Sequence, residues 1–248
     1  MARPRRVALA LVLSLPLVAG RSPPAWAYEG VGVARGGELS GRVTLEGPAP
    51  EARALDVSPF GAVCGRVPDE RLVVGPERGI RYAVVTLEGV TRGKPIEREA
   101  AHELDNAGCR FVPHVQAVSV GQFLVLKNTD PILHTAHAHF PGGGQPDFNV
   151  GLYPGRVSRK PLVAPGLVEI RCEVHPWMRA YVVVTSHPYH AVTDLYGAYL
   201  IDGIPPGKYR VRIWHETLGT KEREVEISPG ETAKADFRYA APERGQER

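Results

Sequence analysis

The sequence predicts an all-β fold. Apolar residues alternate along short, β-branched segments; the 27 glycines and 23 prolines repeatedly fall where those segments end; and a single stretch invites a helix. Alternation with a period of two marks a half-buried strand, and Gly or Pro at its ends marks the turn.

Residues 41–47 and 82–89 both alternate and both end in Gly, which predicts two strands. Residues 48–80 between them are Pro-rich and irregular. Residues 96–104 are the helix candidate, without a clear apolar face. Residues 115–120 and 123–127, joined across Gly121-Gln122, predict a hairpin or a tight strand connection. Gly142-Gly143-Gly144 with Pro146 marks a surface loop. Residues 167–172 and 181–185 predict one strand running into a short loop and another leaving it. Residues 194–200, the turn Pro205-Pro206-Gly207 and a strand through His215 predict a meander or sandwich.

The start of the chain addresses its location. Arg3, Arg5 and Arg6 precede an apolar run over residues 7–20, and Ala25-Trp26-Ala27 has the small-x-small form of a signal-peptidase site, so residues 1–27 read as a cleaved secretory signal. The mature chain then begins at Tyr28. The run is too short to span a bilayer, and no later segment approaches that length, so the expectation is a periplasmic or secreted protein without a membrane span. Arg5-Arg6 fits an ordinary basic n-region and also a twin-arginine signal. Removing residues 1–27 deletes four arginines and no acids, so 30 basic side chains become 26 against 27 acidic ones and the net charge moves from +3 to −1. No basic stripe with interleaved aromatics remains, and no nucleic-acid partner is expected.

The remaining length predicts one large or two small β-rich domains. The expected division is an N-terminal β segment over 28–100, a central domain over 101–187, a C-terminal β segment over 188–240 and a disordered tail over 241–248.

The chemistry concentrates in Cys172-Glu173-Val174-His175-Pro176-Trp177-Met178, where a thiolate, an imidazole and a thioether share one short loop. Soft sulfur donors select copper, and two His, one Cys and a weak axial Met form the ligand set of blue-copper electron-transfer sites. Zinc sites rarely include a thioether. Apart from Met1, Met178 is the only methionine. If Cys172 is a metal thiolate, Cys64 and Cys109 remain as an even pair, and in an oxidising compartment they should form a disulfide. The alternative is a second metal site using Cys109 with His114 or His102.

Residues 103–186 resemble a cupredoxin, and the Cys-x2-His-x2-Met spacing of Cys172, His175 and Met178 is similar to the ligand loop of the amicyanin and plastocyanin type. Upstream, Asn128-Thr129-Asp130-Pro131-Ile132-Leu133-His134 resembles the family's Asn-bearing strand end followed by the first His ligand. The resemblance implies a Greek-key β-sandwich holding one type 1 copper in His134, Cys172, His175 and Met178. Asn128 and Thr135 would support those ligands, Thr135 standing where the family commonly has Asn and its backbone N–H donating to the Cys172 sulfur. It implies that His175 reaches the surface as the electron port, with Pro176 and Trp177 as its rim, and that a transient redox partner docks there. Residues 194–211 resemble the carboxypeptidase-regulatory-like, prealbumin-like modules, and the chain as a whole resembles exported bacterial multi-domain cupredoxin-like proteins.

The other histidines read as ordinary. His137 and His139 share a strand face opposite to His134, and one or both are expected at the surface; His102, His114, His187, His190 and His215 have no metal-ligand spacing. The sequence contains no Gly-x-Ser-x-Gly, His-Glu-x-x-His, phosphate loop or Cys-x-x-Cys-His. The expectation is a one-electron carrier rather than an enzyme. A Cu(I) carrier or sensor, disfavoured by the lack of thioether-rich tracts, and a polysaccharide- or wall-associated binding module stay open beside it, as does glycan binding by the C-terminal segment.

Overall fold

The computed structural model describes residues 27–144 and 147–242. Residues 1–26 of the expected signal, Pro146 of the glycine-rich loop and residues 243–248 of the expected tail lie outside the described residues. Among the described residues no helix is long and apolar enough to cross a membrane. The N-terminal part contains β1 (Glu29–Gly30), β2 (Gly37–Glu46), the single turn α1 (Gly61–Cys64), β3 (Val84–Glu88) and β4 (Arg92–Gly93). The central part contains β5 (Ala101–Asn106), β6 (Phe111–Val112), β7 (Val115–Ser119), β8 (Phe123–Asn128), β9 (His134–His139), β10 (Phe148–Leu152), β11 (Val157–Pro161), β12 (Gly166–Arg171) and β13 (Arg179–Thr185). The C-terminal part contains β14 (His190–Val192), β15 (Ala198–Ile204), β16 (Gly207–His215), β17 (Gly219–Ile227), β18 (Thr232–Lys234) and β19 (Phe237–Ala240).

The central strands form a two-sheet sandwich. One sheet runs β10-β9-β12-β13-β7 and the other β11-β8-β5-β6, and the chain passes repeatedly from one to the other, as in Greek-key sandwiches. Period-two alternation builds the core between them. Leu124 and Leu126 from β8, Ala136 and Ala138 from β9, Val168 and Ile170 from β12, and Ala180 and Val182 from β13 are all buried, the larger ones contributing about 1.5–3 kcal/mol each. On β9 the same alternation turns His134 inward and Thr135, His137 and His139 outward.

Two local expectations change. β7 and β8 are not a hairpin: β7 lies parallel to β13 and β8 sits between β11 and β5. The chain turns between sheets at Gly121, whose φ of +90° suits glycine. β7 is buried on both sides because Val118 faces the central core while Val115 meets Tyr82 and Val84 of the flanking part. The helix candidate over 96–104 runs into β5, which pairs in parallel with β8 and buries Leu104 and Asn106 on alternate positions.

The flanking segments are not two independent units. β3 lies between β14 and β16, and β2 lies between β15 and β18 with β19 also paired to it. Leu39, Val43 and Leu45 of β2 and Val85 and Leu87 of β3 share one core with Ile201, Val211, Ile213, Phe237 and Tyr239. The expected segments 28–100 and 188–240 therefore close into one sandwich, with the central sandwich inserted between them in sequence. β2 takes its ladder partners from the far end of the chain, and its inward residues share their core with β3 and with the C-terminal strands.

Residues 48–80 leave this flanking sandwich and reach the central one. Val57, Cys64 and Val67 make a small cluster with Cys109, against which Phe60, Ile132 and Trp177 pack. The Cys64 and Cys109 sulfurs are bonded, 2.00 Å apart.

Candidate metal centre

Two loops at one end of the central sandwich converge. The first leaves β8 at Asn128, which is buried. Its amide donates to the carbonyls of Ile132 (2.8 Å) and Leu152 (2.7 Å), and its oxygen accepts the Asp130 N–H at 3.0 Å. This fixes the path that delivers His134 to the start of β9. The Asp130 carboxylate accepts the N–H groups of Gly108 (2.7 Å) and Cys109 (2.8 Å) and the Nε2–H of His134 (3.0 Å). With its proton held at Nε2, His134 presents the Nδ1 lone pair to the interior.

The second loop joins β12 to β13. Cys172 N–H donates to the Met178 carbonyl (3.3 Å) and Met178 N–H to the His175 carbonyl (2.9 Å), so Cys172, His175 and Met178 sit on one closed turn. Met178 is 2% exposed and packs in the same core as Cys172.

The donor atoms meet. His134 Nδ1 and His175 Nδ1 are 2.9 Å apart, and Cys172 Sγ is 3.6 Å from His175 Nδ1 and 4.0 Å from His134 Nδ1. Metal–nitrogen bonds of about 2.0 Å and a metal–sulfur bond of about 2.3 Å at even angles in one plane would separate such donors by roughly 3.5–3.8 Å; the two sulfur–nitrogen distances lie about this range, the nitrogen–nitrogen distance is shorter and corresponds to a narrower angle between the imidazoles, and the three residues together have the chemistry to hold a metal ion. Both imidazoles are 0% exposed. Burial pushes the Cys172 thiol up, but hydrogen bonding with His134 and with the N–H groups of Thr135, Val174 and His175 outweighs it, and its pKa lies below the ordinary thiol value. Burial, followed by repulsion from His134, holds the His175 pKa below the usual imidazole value. Both directions favour the metal-binding forms, thiolate and neutral imidazole.

Thr135 links the loops. Its N–H points at Cys172 Sγ (3.3 Å), its hydroxyl lies 3.7 Å from the same sulfur, and that hydroxyl accepts the Glu173 N–H at 2.7 Å.

The expected surface exposure of His175 does not hold. Phe60 stands against its ring and Trp177 lies beside it at 5.1 Å between centroids. Trp177 is half-buried and donates from Nε1 to the Cys109 carbonyl at 3.1 Å, while Pro176 is exposed. The physical reason is the excursion over 48–80, which the disulfide ties down on this end of the sandwich. The alternative site at Cys109 does not form. Cys109 comes near Asp130 and His134, but its sulfur is bonded to Cys64. His102 bonds Gln122, and His114 bonds the Arg179 carbonyl and Glu216.

Asp130 and Phe60 are the contributors that sequence reasoning missed. An acid four positions before His134 was a weak signal for the first; nothing local signalled the second.

The carboxypeptidase regulatory-like domain family matches residues 175–240, from the metal loop through β13 to β19. No curated protein matches the chain. Among solved structures, a Cu-containing nitrite reductase from Thermus scotoductus SA-01 is similar at 23% identity with a TM-score of 0.33, over 40% of this chain and 24% of that one. The chain thus spans about a quarter of that enzyme's length. A reduced variant of amicyanin is similar at 20% identity with a TM-score of 0.32, over 40% of this chain and 97% of that one. A purple cupredoxin from Nitrosopumilus maritimus is similar at 19% identity with a TM-score of 0.30, over 35% of this chain and 100% of that one.

Proposed function

We propose that this chain is an exported type 1 copper protein that passes single electrons between larger redox partners and is not itself a catalyst. The observation that carries the reading is the convergence of His134 Nδ1, His175 Nδ1 and Cys172 Sγ within 2.9–4.0 Å beside a buried methionine. Bound copper would supply a Cu(I)/Cu(II) couple and would be held by the Cys172 thiolate, the His134 and His175 imidazoles and, more weakly, the Met178 thioether.

The rest of the work falls to the chain. Asp130 keeps His134 in the tautomer that frees Nδ1, the Thr135 N–H stabilises negative charge on the Cys172 sulfur, and Asn128 holds the first loop in one conformation. Such outer contacts orient the ligands and tune the potential. Buried ligands on a rigid sandwich change position little between charge states, which keeps the reorganisation small. Water is excluded by Phe60, Trp177 and the core. Burial of both imidazoles also counts against a copper-delivery role, which needs ligands that exchange readily.

The outward side of the site is formed by Phe60, Pro176 and Trp177. A transient partner would dock there through a small interface, taking the electron through the ring contacts over His175.

The test is a visible spectrum. The mature protein with Cu(II) should show intense thiolate-to-copper absorption, and Cys172→Ser should abolish it, because a hydroxyl cannot supply the soft donor. A colourless, weakly bound complex in the parent protein would reject the reading.

A further inference from the structure

Cys172 and Glu173 are consecutive at the end of β12, and their side chains part: Cys172 is buried and Glu173 is exposed. Glu173 thereby joins the outward face of β9, where its N–H is held by the Thr135 hydroxyl at 2.7 Å. On that face His137, His139 and Glu173 each offer a ligand atom, and the three atoms lie within 4.8 Å of one another. His137 Nδ1 is 2.5 Å from Glu173 Oε1, and the His137 and His139 rings lie 4.0 Å apart between centroids, tilted by 42°. The two residues alternate along one strand, so the sheet itself fixes their spacing.

A surface hydrogen bond between His137 and Glu173 would account for that pair alone. It leaves His139 unexplained: its Nε2 is buried and has no hydrogen-bond partner, although a buried polar nitrogen without a partner costs about 1–3 kcal/mol. The nearest cation in the ladder, Arg171, pairs opposite His137 but is engaged by Glu169 at 2.7 Å. Glu169 itself lies opposite His139 and is also within 3.4 Å of Arg179. The face therefore carries carboxylates that offset its arginines. With the side chains of His137 29% and Glu173 53% exposed, an ion has a way in from solvent.

We propose that His137, His139 and Glu173 form a second metal site, separate from the thiolate centre, for a borderline divalent transition ion such as Zn2+ or Cu2+. Two imidazoles disfavour the hard ions Ca2+ and Mg2+, which take oxygen ligands, and the lack of sulfur together with a carboxylate makes the set better suited to a divalent ion than to Cu(I). Three protein ligands leave the remaining positions to water or a small ligand, the arrangement of open rather than structural sites.

The test uses Co2+ as probe on the mature full chain, counting bound ions by equilibrium dialysis and reading their donors by absorption. The parent should bind one more Co2+ than either Glu173→Gln or His137→Ala, and this additional ion should add only weak nitrogen–oxygen bands. Any thiolate charge-transfer band belongs to Cys172 and should be the same in all three proteins, so failure of the blue-copper reading appears in that band and not in the difference count. Glu173 is exposed, so Glu173→Gln tests the site without threatening the fold. Equal counts in the parent and both variants would overturn the second site.

Discussion

Phe60 meets His175 edge to face, their ring centroids 4.5 Å apart and their planes at 79°. One ring belongs to an irregular excursion of the flanking sandwich and the other to the metal loop of the central one. The contact covers the end of the sandwich at which the donors converge, so the cover over the site comes from a segment outside the domain that builds it.

Phe60→Ala should open that end. The expected outcome is unchanged thiolate absorption with faster removal of copper by an external chelator, and faster electron exchange with small reagents, at a stability cost of about 2 kcal/mol. Stopped-flow chelation on the parent and the variant measures it. Equal rates would show that the ring covers His175 without gating it.

The cover is anchored by Cys64 and Cys109, which lie 45 residues apart in sequence. Constraining the unfolded chain over a loop of that length contributes about 4 kcal/mol in the entropy model. The double change Cys64→Ser, Cys109→Ser should lower the denaturation midpoint and release copper as readily as Phe60→Ala does. In unreduced, denatured apo-protein, thiol labelling should modify Cys172 alone; three labelled cysteines would remove the anchor.

Asp130 and Met178 would act on a bound metal in different ways. Asp130→Asn removes the anionic acceptor behind His134 and should lower copper affinity by about 10–100-fold. Met178→Leu removes only a weak donor, so copper should stay bound while the reduction potential rises. Affinity and potential measured on both variants separate the two. A large loss of Cu(I) affinity in Met178→Leu, with rapid copper transfer from the parent, would favour delivery over electron transfer.

What the sequence disclosed was local. Some strands were legible where one face meets a core, as in β8 with Leu124 and Leu126 inward, but β10 and β19, which bury Val150 and Leu152 and Phe237 and Tyr239, were not; the loop from Cys172 to Met178 stood out because three candidate donors lie within seven residues. Phe60 and the pairing of β2 with β15 and β18 were not legible, since each depends on contacts between distant parts of the chain that leave no period or spacing behind. The helix candidate over 96–104 took in the start of β5 for a related reason: the alternation of β5 is carried by Leu104 and Asn106, and a buried Asn looks like a surface residue until its amide is seen donating to the Lys127 carbonyl at 2.6 Å. His137 and His139 were assigned correctly to the face opposite His134, but their approach to Glu173 required the register of β9 against β12.

Acid should weaken the fold through His215. His215 is 1% exposed, and its Nδ1 accepts the N–H groups of Thr217 (3.2 Å) and Leu218 (3.4 Å), a role open only to the neutral ring with its proton on Nε2. Burial, with a smaller repulsion from His114 and a backbone hydrogen bond to Arg81 acting the other way, lowers its pKa to about 4. An unfolded chain titrates its histidines near about 6.5, so between these values the unfolded state binds more protons and stability rises with pH. The contribution of His215 is fully present above about pH 6.5 and is lost as pH falls toward about 4, a change of roughly 3 kcal/mol. His215→Asn retains a short acceptor but cannot titrate. Denaturant midpoints at neutral and acid pH should therefore fall further in the parent than in the variant, while His187 and His190, also held below the usual imidazole value by burial, respond equally in both. Parallel pH dependences in the two proteins would mean that His215 is not the residue being protonated.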